Sequence, residues 1–134
     1  MTFSIVGRCA RTGMFGVAIT TSSICVGSRC PHVRAGVGAV ATQNITDPHL
    51  ATLVRDAMAV GQDASGAIAS VVKNRENISY RQLTAVDARG MTAHFTGANI
   101  LGTHAVSVAA DCVAAGNFLS SKAVVKAISD GFGV

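Results

Sequence analysis

Side chains able to take part in acyl chemistry gather in a few short stretches of this 134-residue chain. Hydroxyls stand at Thr2 and in the Ser22-Ser23 pair, a guanidinium at Arg34, and carboxamides at Gln43 and Asn44. Attack on a carbonyl carbon needs a nucleophile, donors for the oxyanion that forms, and a group that holds the substrate. Arg34 can clamp a carboxylate through paired hydrogen bonds, or simply be a solvated residue at a strand entry. Gly36, Gly38 and the Ser22-Ser23 segment can each bring backbone N–H groups close to an oxyanion, though Ser22 and Ser23 can equally be ordinary loop. Gln43 and Asn44 end an apolar run, so their amides must find partners, and an amide at a strand's end is well placed to orient a ligand.

The remaining polar residues separate by context. His104, in a Gly-Thr-His loop, and Asn117, after Gly116, are candidates for substrate contact; Asn117 alternatively serves a left-handed turn. His32, His49 and His94 read as surface or core histidines. Cys25, Cys30 and His32, with distant Cys9, are zinc-ligand types without the paired C-x2-C spacing of a structural site, so no metal is expected. No phosphate-binding glycine loop occurs, and no cofactor is expected.

Composition narrows the classes. Hydrophobic residues make up 49% and charged residues 13%, enough apolar content for one buried core and far from the disordered class. With no Trp, one Tyr and five Phe the chain lacks the stacking platforms of single-strand nucleic-acid binders. The net charge of +4 is scattered, so neither nucleic acid nor a membrane surface is an expected partner. No segment has the uninterrupted apolar length of a membrane span, and no export signal is apparent. Four cysteines in a chain with ample core point to reduced thiols and a cytoplasmic location.

The elements that must position these groups follow from periodicity. Phe3 to Val6 and Met14 to Thr21 alternate as strands around a turn at Arg11-Thr12-Gly13, and Gly36 to Gln43 makes a third strand after an irregular connection. Asp47-Pro48 opens a helix with Leu50, Leu53, Val54, Ala57 and Met58 on one face; Asp63 caps a second with Ala64, Ala67, Ile68, Val71 and Val72. Tyr80–Val86 and Met91–Phe95 form another hairpin, Ala105–Val108 and Cys112–Ala114 are short strands, Gly116-Asn117 is a turn, and Ser120 caps a last helix. Strands apolar on both faces, as Gly36 to Ala41 is, require cover on both sides. A four-layer αββα sandwich of two antiparallel sheets provides it, with a thin second helical layer.

The ordered set Thr2-Phe3-Ser4-Ile5-Val6, Gly16-Val17-Ala18, Ala35 to Gln43, Val86-Asp87-Ala88-Arg89-Gly90, Phe95-Thr96-Gly97 and Gly116-Asn117-Phe118-Leu119 resembles the bacterial family catalogued as domain of unknown function 1028. The resemblance spans the whole chain. It departs at Thr21-Ser22-Ser23-Ile24-Cys25, where the family more often carries bulky or aromatic residues. The family implies the N-terminal-nucleophile hydrolase fold and a longer chain, so this one is expected to lack a C-terminal part or to be completed by another chain. In that superfamily a Thr, Ser or Cys exposed at the N-terminus attacks the substrate and its own α-amine acts as base. Thr2 matches that position once Met1 is removed, or it merely begins an edge strand. The implied activity is hydrolysis of a small amide or lactam. The alternatives are the first piece of a self-cleaved precursor whose nucleophile opens a second chain, and a non-catalytic binding module. Self-association, or a second chain of the same precursor, is expected to cover apolar surface left by the thin helical layer.

Overall fold

Period-two burial along the strands decides how the layers stack. In the computed structural model, which describes residues 1–133 and leaves Val134 outside, the strands are β1 (Thr2–Arg8), β2 (Phe15–Thr21), β3 (Pro31–Arg34), β4 (Gly38–Asn44), β5 (Arg81–Asp87), β6 (Thr92–Thr96), β7 (Ala105–Ala109) and β8 (Cys112–Asn117). The helices are α1 (Val26–Arg29, a single turn), α2 (Pro48–Ala59), α3 (Ala64–Val72) and α4 (Ala123–Phe132). Two antiparallel four-stranded sheets form, in the orders β2-β1-β8-β7 and β3-β4-β5-β6.

Odd and even residues of β4 go to different layers. Val40 joins Leu50, Val54, Ile68 and Leu83 in the core under α2 and α3, whereas Ala39 and Ala41 face Val6, Val86 and Val113 of the interior between the sheets. On the far side Phe3, Ile5 and Ala114 pack against Val124, Val125 and Ile128 of α4. Three stacked cores, with α2/α3 outside one sheet and α4 outside the other, make the αββα sandwich expected. Small residues on the facing strands let the sheets approach closely. At Gly38 the approach is limiting, since a Cβ there would run into the carbonyl oxygen of Val86.

The second helical layer is thin, as expected. Among the described residues α4 alone covers the β2-β1-β8-β7 sheet. Beside it, the outer faces of β1 and β2 are left with two apolar hollows of about 270 and 400 Å³, reached by Phe3, Ile5, Ala18, Phe15 and Phe132. No helix among the described residues is long and apolar enough to cross a membrane. All four cysteines are free thiols.

Helix starts follow local chemistry. The Asp47 carboxylate accepts from the N–H of His49, and Asp63 from that of Gly66 at 2.7 Å, satisfying N–H groups that no helix can satisfy internally. Three expectations need correction. The connection expected to be irregular holds the single turn α1 and the strand β3, which pairs with β4 in a hairpin, and the third expected strand is β4, beginning at Gly38 because Gly36 sits at φ +72° in the hairpin turn. Gly116 and Asn117 are not a turn but the end of β8, paired with Phe3 and Thr2, because Gly116 is the residue that fits under Leu119 and beside the carbonyl of Thr2. The last helix is capped from Lys122 rather than Ser120, with the Ser121 hydroxyl accepting from the N–H of Ala123.

At one end of the sandwich a carboxylate organises the chain. Asp87, at the end of β5 and 4% exposed, accepts from the N–H groups of Arg89 and Met91 in its own hairpin and from Ala64 N–H at the start of α3. Arg8 pairs with Asp111 at 2.9 Å nearby, and Gly90 lies so close to the Asp111 carboxylate that a Cβ has no room. Replacing Asp87 with Ala strands three buried or part-buried donors. We expect a loss of about 2–4 kcal/mol in denaturant-induced unfolding.

His32 on β3 has a ring nitrogen, Nε2, buried without a partner. Burial, then the Arg55 charge, hold its pKa below the ordinary value of 6.5. The unfolded chain therefore takes up a proton at a higher pH than the folded one. Stability should be constant above that value and fall as pH drops from 6.5 toward the lower folded-state pKa. Thermal midpoints across this window should decline for the natural chain and less so for His32→Gln.

Candidate functional site

The end of the sandwich opposite Asp87 is open and rich in hydroxyls and amides. β1 begins there, between β2 and β8, with Thr2 opposite Thr21 on one side and Asn117 on the other. Thr2 thus stands on an inner strand of its sheet. Because alternate residues share a face, Thr2, Ser4 and Val6 all point into the space between the sheets. The Thr2 and Thr21 hydroxyl oxygens are 2.8 Å apart, and Thr21 Oγ1 also accepts from the N–H of Ser23 at 3.2 Å. The N–H of Ser22 donates to the carbonyl of Met1 at 3.4 Å.

These residues surround a cleft of about 420 Å³. Thr2, Ser22, Ser23, Asn44 and Asn117 make its polar part, and Met1, Leu101 and Phe118 its apolar part. Beneath it runs a buried chain of amides that crosses between the sheets twice. Ser4 Oγ on β1 donates to Gln43 Oε1 on β4 at 2.8 Å, and Gln43 Nε2 donates to Gln82 Oε1 on β5 at 2.8 Å. Longer bonds of 3.4 Å return to β8, from Gln82 Nε2 to the Gly116 carbonyl and from Asn117 Nδ2 to Gln82 Oε1. All four side chains are at most 3% exposed.

The expected site residues divide accordingly. Thr2, Ser22, Ser23, Asn44 and Asn117 meet at the cleft. Gln43 lies below it, with both ends of its amide engaged by Ser4 and Gln82. Asn44, at φ +76°, uses its amide to bind the Tyr80 carbonyl at 2.7 Å and the Leu101 N–H at 3.2 Å, so it staples loops together. His104 is not among the cleft residues; its Nδ1 lies 3.1 Å from the Gly102 carbonyl. Arg34 is at the wrong end: it pairs with Gly38, five residues before Gln43 along β4, about 16 Å away at strand rise. The hairpin that splits β3 from β4 carries it there, where it is exposed. The guanidinium groups at the cleft end are those of Arg29, bound to Thr46 and Ile24, and Arg81, bound to the Ile45 carbonyl.

Ser4, Gln82, Thr21 and Phe118 escaped sequence reading. Ser4 shares the face of Thr2 by simple alternation, a usable signal. Gln82 is a polar residue in a β-rich run, and only the pairing of strands distant in sequence brings it under the cleft, whereas the β1–β2 hairpin sets Thr21 opposite Thr2. No group of three or more His, Cys, Asp or Glu side chains among the described residues is arranged to hold a metal ion. Burial raises the pKa of Cys112, whereas hydrogen bonds from Thr12 and Arg11 lower that of Cys9; neither borders the cleft.

The model of the family of unknown function DUF1028 matches residues 2–133, and the chain belongs to that family. It is similar to the crystal structure of protein SPO2555 from Silicibacter pomeroyi, also of DUF1028, with 29% identity and a TM-score of 0.95. The match covers 99% of this chain and 62% of that one, so this chain spans less than two thirds of its relative's length. No curated protein matches the sequence.

The amide chain makes a stability test. Gln43→Leu removes one member, leaving Ser4 Oγ buried without its partner and Gln82 Oε1 with only the 3.4 Å bond from Asn117 Nδ2. Unfolding free energy should fall by about 2–3 kcal/mol, and the Ser4→Ala/Gln43→Leu pair should cost less than the sum of the single changes.

Proposed function

We propose that this chain is a hydrolase of a small amide or lactam in which Thr2, freed of Met1, is the nucleophile. The observation that carries the reading is the Thr2 hydroxyl on an inner strand, 2.8 Å from a second hydroxyl, in a cleft with polar walls. Resemblance to N-terminal-nucleophile hydrolases and a sandwich of the matching architecture support it.

Cutting Met1 away does two things at once. It turns the Thr2 nitrogen into an α-amine with a pKa of about 8, able to take the hydroxyl proton at neutral pH. It also removes the carbonyl that holds the Ser22 N–H, leaving a backbone donor facing the cleft beside Thr2. Thr2 Oγ1 then attacks the carbonyl carbon, the oxyanion takes bonds from Ser22 N–H and the second Nδ2 proton of Asn117, and the protonated amine passes its proton to the departing nitrogen. Water, activated by the same amine, releases the acid from the threonyl ester. The Thr21 hydroxyl, itself held by Ser23 N–H, orients Thr2 Oγ1. Four free thiols suit a reducing, cytoplasmic setting.

The test joins mass spectrometry of the N-terminus to a screen against simple amides. Active protein should lack Met1, and Thr2→Ala should lose at least about a thousandfold in kcat with little change in thermal midpoint. Thr2→Ser should retain measurable turnover. A fully active population retaining Met1 would rule the mechanism out, and so would an active Thr2→Ala.

A further inference from the structure

The residue after Asn117 breaks the strand rule. Consecutive strand residues point to opposite faces, yet Asn117 and Phe118 both line the cleft. Phe118 does so at φ +50°, a left-handed conformation that bulky side chains avoid. Two backbone bonds impose it: Phe118 N–H donates to the Leu101 carbonyl at 3.0 Å, and Leu119 N–H to the Thr103 carbonyl at 2.9 Å. Gly102, itself at φ +66°, lies against the ring where a Cβ would clash. The strained backbone does not bury the ring, since Phe118 is 53% exposed and Leu101 across from it 40%. Leu119, the next residue, goes into the core under α4 instead.

Backbone strain that yields no packing is maintained where a side chain must be displayed. A phenyl ring and an isobutyl group therefore stand at the cleft beside Thr2, Ser22 and Asn117. Resting on the reading of this cleft as an amide site, the geometry points to Phe118 and Leu101 as specificity-determining residues for amides that carry an aromatic or branched apolar group next to the carbonyl. The polar residues receive the amide, and the apolar group lies against the Phe118 ring and Leu101, withdrawing both faces from water.

The probes are acetamide and phenylacetamide, titrated into the purified chain while the backbone N–H signals of Leu101, Asn117 and Phe118 are followed by NMR. Phenylacetamide should shift these signals and bind at least about tenfold more tightly than acetamide, the ratio expected from half-burying a phenyl group. Phe118→Asn, which suits a left-handed position, should abolish the preference with a thermal midpoint unchanged or raised. Equal affinity for the two amides, or no shift with either, overturns the proposal. So does a Phe118→Asn variant that keeps the preference. Should that variant not fold, Leu101→Ser decides: preference lost supports the proposal and preference kept overturns it. The readout needs no turnover, so failure of Thr2 chemistry leaves it intact, while turnover without preference for the aromatic amide sinks only this inference.

Discussion

Two buried glutamines face one another on neighbouring strands of one sheet, and each needs the other sheet to complete its hydrogen bonding. Gln43 takes a bond from Ser4 of β1, and Gln82 exchanges bonds with Gly116 and Asn117 of β8. Leaving either amide unmet in that interior costs about 1–3 kcal/mol, more than a net hydrogen bond contributes. A shift of register in β1 by one residue would turn Ser4 away and bring an apolar neighbour onto the glutamine. The amide chain therefore aligns the two sheets along their length as well as holding them together. The position of Thr2, two residues from Ser4 on the same face, is a consequence.

The sandwich has two ends of different character. One is closed by charge: Asp87 ties a hairpin to α3, and Arg8 with Asp111 ties the end of β1 to the β7–β8 connection against Gly90. The other is left open, with hydroxyls and amides on an organised floor and apolar residues at its side. Rigidity at the closed end and beneath the floor permits the open end to hold side chains in geometries that packing alone would not choose. Phe118 is held in its left-handed conformation by bonds from its own N–H and that of Leu119 to the loop carbonyls of Leu101 and Thr103, and the Asn44 side chain ties the same loop to Tyr80.

The layered plan has a cost at the outer face of β1 and β2. Small residues there, Gly7, Gly16 and Ala18, give close packing to whatever lies over them, and α4 reaches only part of that surface. Phe132 covers Gly7, where a Cβ would meet its ring at 2.5 Å. Two apolar hollows remain on this face beside it.

Most of the layer order was legible in the residues. Asp47-Pro48 and Asp63 marked helix starts, and apolar residues at three-to-four and two-residue spacing separated helices from strands, because caps and periodicity are local. The grouping of Thr2 with Ser22 and Ser23 was legible for the same reason, since one short hairpin joins them. The places of Arg34 and Gln43 were not legible, because nothing local says that a turn at Gly36 reverses the chain and sends Arg34 to the far end, or that Gln43 finds Ser4 and Gln82 beneath the floor. Sequence alone determined the longer helices and most strands, the two-sided burial of the strands and hence the number of layers. The tertiary structure alone decided which polar residues support the cleft and which face it, because that depends on pairing between strands dozens of residues apart, and no local propensity encodes the partner.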